Sequence, residues 1–146
     1  MRSLNFLLFF ALFILNLNPA QAHEFKAGDL EIVHPWARAQ LKGSDVADGF
    51  MKIINHGSTP DRLIGVSVEF AKSGQIHDMK MEGTVMTMEE MKDGLEIPAG
   101  ATVELKPKSK HIMFMGMTEA LVPDEMVDGE LIFEKAGKVK IEFMIE

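Results

Sequence analysis

In His111-Ile112-Met113-Phe114-Met115-Gly116-Met117, an extended backbone turns alternate side chains to the same side, so His111, Met113, Met115 and Met117 share one face. Ile112 and Phe114 take the other. The same parity groups His77, Met79 and Met81 in His77-Asp78-Met79-Lys80-Met81, and Met86 with Met88 shortly after. Imidazole nitrogen and thioether sulfur together suit Cu(I), a soft ion, whereas magnesium and calcium require cages of oxygen. Thioethers have no proton to lose and cannot be consumed by disulfide formation, although peroxide converts them to sulfoxide. Neutral donors leave a bound Cu(I) its positive charge, which favours handing the ion on over permanent storage. The competing account is packing, because methionine fills irregular cores and alternate Met on a strand commonly faces an opposing sheet. For any single Met the core is the expected place. Two histidines of matching parity, and the crowding of eight of the 12 methionines between Met79 and Met117, speak for metal binding by the group.

Elements able to position these donors follow from turn chemistry. Short runs rich in Val, Ile, Phe, Met and Leu alternate with Gly, Pro, Asn and Asp, the rhythm of an all-β sandwich or small barrel. Strands are predicted at Leu30–His34, Gly49–Asn55, Arg62–Phe70, Gln75–Met81, Thr84–Met91, Thr102–Leu105, His111–Met117, Gly129–Glu134 and Lys138–Met144. Reversals are expected at Asn55-His56-Gly57, Glu82-Gly83, Lys92-Asp93-Gly94, Pro98-Ala99-Gly100, Val122-Pro123-Asp124 and Ala136-Gly137. With only Glu82 and Gly83 as the turn, Met86 would stand opposite Met79 and Met88 opposite His77.

Residues 1–22 read as a cleaved secretory signal: Met1-Arg2-Ser3 is a short positive start, Leu4 to Leu17 is apolar, and Pro19-Ala20-Gln21-Ala22 offers a small-x-small cleavage pattern. Residues 23–146 then form one domain, exported to an oxidising compartment and without a membrane span after signal cleavage. Beyond the leader 14 basic residues face 22 acidic ones, a balance that argues against nucleic acid as a partner. The chain has no cysteine, which excludes disulfides, thiolate metal sites, iron–sulfur clusters, a blue-copper thiolate and a cysteine-linked lipid. No Gly-x-Ser-x-Gly elbow, nucleophile context or phosphate-binding glycine loop appears, so the expectation is a binding protein and not an enzyme.

Several stretches resemble the PCuAC family of periplasmic copper chaperones: Pro35-Trp36-Ala37-Arg38, Pro60-Asp61-Arg62-Leu63, His77 to Met88, Ile97-Pro98-Ala99-Gly100, His111 to Gly116, and the closing hairpin around Ala136-Gly137. The resemblance implies a cupredoxin-like Greek-key β-sandwich. It also implies Cu(I) ligands at His77, Met88, His111 and Met113, with ten residues between the first two and 22 between Met88 and His111. It further implies a monomeric periplasmic chaperone that supplies copper to the CuA centre of a cytochrome c oxidase, either to an oxidase subunit directly or through a thiol-bearing copper carrier. Where family members commonly have a Gly-rich turn before the second His, this chain has Lys106-Pro107-Lys108-Ser109-Lys110, a stiffer and more cationic approach. Met79, Met81, Met86, Met115 and Met117 are extra sulfurs, expected mostly in the core, with a role as transient ligands open to whichever are exposed.

The same residues admit alternatives. A copper-sequestering resistance protein would use the same ligands, and a structural or adhesive β-sandwich would need none. His23, the first residue after the leader, could chelate Cu(II) through its amine and ring. His34 and His56 are expected to be structural or solvent-facing, Trp36 a packing anchor, and Asp61 with Arg62 an exposed ion pair.

Overall fold

A computed structural model of the chain describes residues 23–40 and 43–146; the leader and its cleavage point lie outside the described residues. It contains eleven strands and, among the described residues, no helix: β1 (Glu24–Ala27), β2 (Leu30–Ala37), β3 (Val46–Asn55), β4 (Asp61–Val68), β5 (Ala71–Glu82), β6 (Val85–Glu90), β7 (Leu95–Ile97), β8 (Thr102–Leu105), β9 (His111–Met117), β10 (Met126–Phe133) and β11 (Gly137–Ile145). All nine strands predicted from pattern are present. The two additional ones, β1 and β7, are four and three residues long.

Hydrogen bonding runs β2-β11-β10-β4-β5-β9-β3, and a further pairing of β3 with β2 closes that path into a seven-stranded barrel. The expected two layers are thus joined at both sides. Strands β1, β8, β6 and β7 attach to β2, β3, β5 and β4 respectively. Every pairing is antiparallel except β11 with β2. Alternation fills the interior as the pattern requires: Ile32, Ile53, Leu63, Ile112, Phe114, Leu131, Ile141 and Phe143 are all essentially inaccessible. Burying side chains of this size contributes about 1.5–3 kcal/mol each relative to exposure. Phe114 lies at the centre of this packing, with its ring edge-on to Phe70 at 4.9 Å and to Phe143 at 5.5 Å.

Three local expectations are corrected. The turn between β5 and β6 is Gly83-Thr84, not Glu82-Gly83, so Glu82 pairs with Val85, Met81 with Met86, Met79 with Met88 and His77 with Glu90. Gly83 has φ of 66°, a left-handed conformation that glycine adopts without steric cost, and this selects the turn. The slip moves each partner by two residues and therefore preserves which face each side chain occupies. Met117 leaves the row of His111, Met113 and Met115 and packs against the core, because Gly116 at φ 67° breaks the extended geometry just before it. Asp61 is buried, and its carboxylate accepts hydrogen bonds from the backbone N–H groups of Arg62, Lys135 and Ala136 at 2.7, 2.9 and 3.0 Å. It holds the β10–β11 turn against β4, while the Arg62 side chain turns to Glu134 instead.

Candidate metal centre

Strand β5 belongs to two structures in succession. From Ala71 to His77 it pairs with β9 inside the barrel, and from His77 to Glu82 it pairs with β6 as a projecting hairpin. His77 sits at the junction. It lies directly opposite His111, with ring centroids 5.7 Å apart and planes inclined at 58°. A nitrogen–metal bond of about 2 Å, with the ring centre roughly 1.2 Å behind the nitrogen, lets two imidazoles on one ion sit up to about 6.4 Å apart. The observed spacing falls inside that limit. Met113 pairs across to Gln75 on one side and to Asp48 on the other, and Met88 stands diagonal to His77 on β6.

Hydrogen bonds leave each ring one nitrogen for coordination. His111 Nδ1 donates to the Ser109 carbonyl at 2.8 Å, which directs its lone pair to Nε2. His77 Nε2 donates to Gln75 Oε1 at 2.8 Å, and His77 Nδ1 is buried with no hydrogen-bond partner among the described residues. An unsatisfied buried polar atom costs about 1–3 kcal/mol, a cost that a metal ion bound there would remove. The residues therefore fit a cation. Burial lowers the pKa of His77 below its ordinary 6.5, and a charge on His111 would lower it further, while Glu90 and Asp48 act in the opposite sense. The neutral, ligating form is the one favoured.

Met79, Met88, His111 and Met113 line one cleft of about 360 Å³. Its walls are Pro107 and Lys108 from the turn before β9, and Arg38, Asp48 and Phe50 from the other side. Arg38 reaches Asp48 at 3.9 Å and lies over the Phe50 ring at 5.5 Å, and Trp36 packs on Phe50 at 4.4 Å. His111 is only 5 % exposed, while Met88 is 52 % exposed, so the donor set is deep on the β9 side and open on the β6 side. Clefts beside Ser67 and Asp128, and beside Pro60 and Lys135, contain neither imidazole nor thioether.

Of the four expected ligands, three line the cleft and the fourth, His77, adjoins His111. The expectation that most surplus methionines lie in the core fails: Met81 and Met86 are exposed, Met79 and Met115 are half-buried, and Met51 is the one methionine among the described residues that is fully buried. The remaining histidines are engaged elsewhere. His34 meets Glu146 at 2.8 Å, His56 meets Glu31 at 2.5 Å, and the His23 ring lies beside Phe25 at 5.5 Å. Gln75 and Ser109 each precede a histidine by two positions, a spacing readable from parity alone. Asp48 and Phe50 reach the cleft through the pairing of β3 with β9, and Arg38 through that of β2 with β3, neither of which a local pattern announces.

Residues 30–145 match the LpqE-like family. A protein of Leifsonia xyli subsp. xyli (strain CTCB07) named as a lipoprotein, Lxx21020, is 32 % identical over 114 residues, 78 % of this chain and 68 % of the relative. Among solved structures, the copper-bound PCuAC domain from PmoF2 superposes with a TM-score of 0.73 at 31 % identity, covering 85 % of this chain and 97 % of that domain. The apo PCuAC domain from PmoF1 gives 0.73 and 31 %, over 85 % and 98 %. The solution structure of CuI-DR1885 from Deinococcus radiodurans, at 21 % identity and a TM-score of 0.63 over 87 % and 81 %, shares the fold. That fold is cupredoxin-like.

Proposed function

This chain belongs to the LpqE-like family, of PCuAC type, and from that premise we propose that it is an exported, monomeric copper chaperone, periplasmic in location, that carries one Cu(I) on His77, Met88, His111 and Met113. The observation that carries the reading is the pair of imidazoles side by side across β5 and β9, each with a free nitrogen, at the foot of a thioether-lined cleft. The matched domains bind copper, and their family and fold are those of binding domains, which supports a carrier and not a catalyst.

Handover proceeds by ligand exchange. Met88, the most exposed donor, is the first to be displaced by an incoming partner thiolate; the stronger anionic donor then draws the ion from Met113 and finally from the two rings. Openness on the β6 side favours delivery over sequestration, since a storage site gains from closure. The acceptor in this reading is a cytochrome c oxidase subunit or a thiol-bearing carrier, with CuA as the destination. The cationic turn at Lys106, Lys108 and Lys110 borders the cleft and suits an acidic partner surface.

An anaerobic Cu(I) competition titration tests the ligand set: His111→Ala and Met113→Leu should each weaken binding by more than about tenfold. Unchanged affinity in either variant removes that residue from the site. Because protons compete for imidazole, affinity should fall with pH below the ordinary histidine value of about 6.5, with competition at His77 displaced to still lower pH. Loss of copper to a purified dithiol-bearing acceptor, against retention in its absence, separates delivery from storage.

A further inference from the structure

The β5–β6 hairpin carries four thioethers that the ligand set uses only once. Met79 stands directly opposite Met88, and Met81 directly opposite Met86, so the four occupy a two-by-two grid on one face of the ribbon. Directly opposed side chains have Cβ atoms about 4.5–5.5 Å apart, and diagonal pairs about 7–8 Å, both within reach of a flexible methionine. The other face of the ribbon holds the Lys80–Glu89 ion pair and Asp78. Packing does not explain the grid, because Met81 is 60 % exposed, Met86 44 % and Met88 52 %. A strand tip in water normally carries charge, yet here the apolar atoms are soft donors in facing pairs.

We propose that this grid is a second soft-ion site, in which Met81 and Met86, aided by Met79, hold a monovalent Cu(I) near the hairpin tip and pass it through Met88 to the histidine pair. As a soft-ion site it stands on the hairpin alone; as a path into and out of the histidine site it rests on the function proposed above. Met88 is shared, so an ion moves by exchanging one thioether at a time without ever becoming free. No electron is transferred and no proton is released, because every donor in the grid is neutral. With neither imidazole nor burial, the grid binds more weakly than the histidine site, as a transit position requires.

Anaerobic titration of the purified protein with Cu(I), followed through the methionine ε-methyl resonances, tests this. Two equivalents should bind, the second at least about tenfold more weakly, with the Met81 and Met86 methyl signals shifting in the second phase. Met81→Leu combined with Met86→Leu should reduce the stoichiometry to one and slow copper transfer to a dithiol acceptor. His77→Ala combined with His111→Ala should remove the tight phase and retain the Met81 and Met86 shifts. Saturation of the unaltered protein at one equivalent, or retention of two in the double leucine variant, overturns the second site. Survival of the tight phase in the double histidine variant instead overturns the histidine site while leaving the grid intact.

Discussion

The barrel interior and the β5–β6 hairpin are both rich in apolar side chains, but they use different ones. Inside, Ile, Leu and Phe interlock with almost no accessible surface, and among the described residues methionine contributes only Met51 in fully buried form. On the hairpin, methionine predominates, and Met81, Met86 and Met88 stand in solvent. Rigid, branched or aromatic side chains serve close packing, where shape decides, whereas a flexible thioether in water gains nothing from burial and is useful for its sulfur. Composition alone reads both regions as hydrophobic. Exposure separates the scaffold from the chemistry.

Strand β9 carries both kinds of side chain, since Ile112 and Phe114 are buried in the barrel while His111 and Met113 line the cleft. The contrast breaks most severely at Phe114→Ala, which should cost about 3–5 kcal/mol in a urea unfolding experiment and abolish copper binding through loss of the fold. His111→Ala sharpens it in the opposite direction: Cu(I) affinity should fall by more than about tenfold while cooperative unfolding persists. Gln75→Leu removes the acceptor that orients the His77 ring and should weaken Cu(I) binding by about tenfold in the same titration, without changing the stoichiometry.

A smaller effect concerns pH. His77 has a folded pKa below 6.5, through burial first and the charge of His111 second, so on acidification the unfolded chain takes up this proton before the native one does. The contribution to stability is complete above 6.5 and is lost as pH falls through that value towards the folded pKa. Urea midpoints of the metal-free protein at pH 7.5 and 5.5 should show the decline, and the difference should shrink in His77→Gln. Smallest of all, Met81→Leu and Met86→Leu should leave unfolding within about 0.5 kcal/mol of the parent, as expected for exposed positions. A larger loss would assign the hairpin methionines to packing after all.

Parity was readable wherever strands were long enough, which is why the faces of His77, Met79, Met88, His111 and Met113 came out as expected even though the β5–β6 register did not. The slip came from one residue: Gly83 takes the first turn position, and a tight turn sets all the pairings that follow it. Asp61 departs from the expected exposed ion pair for a related reason, because its partners at Lys135 and Ala136 lie across β4 and β10 and leave no trace beside it in the chain.

Taken alone, the order of residues settled the all-β class, the two-sided strands and the soft donor chemistry, since all three follow from side-chain type and a period of two. Tertiary structure decided that His77 and His111, 34 positions apart, face each other, that Asp48 and Phe50 wall the cleft, and that Met81, Met86 and Met88 stand in water. Alternation is a property of one strand, whereas adjacency is fixed by which strands pair and in what register, and those depend on turn geometry and on burying one common core.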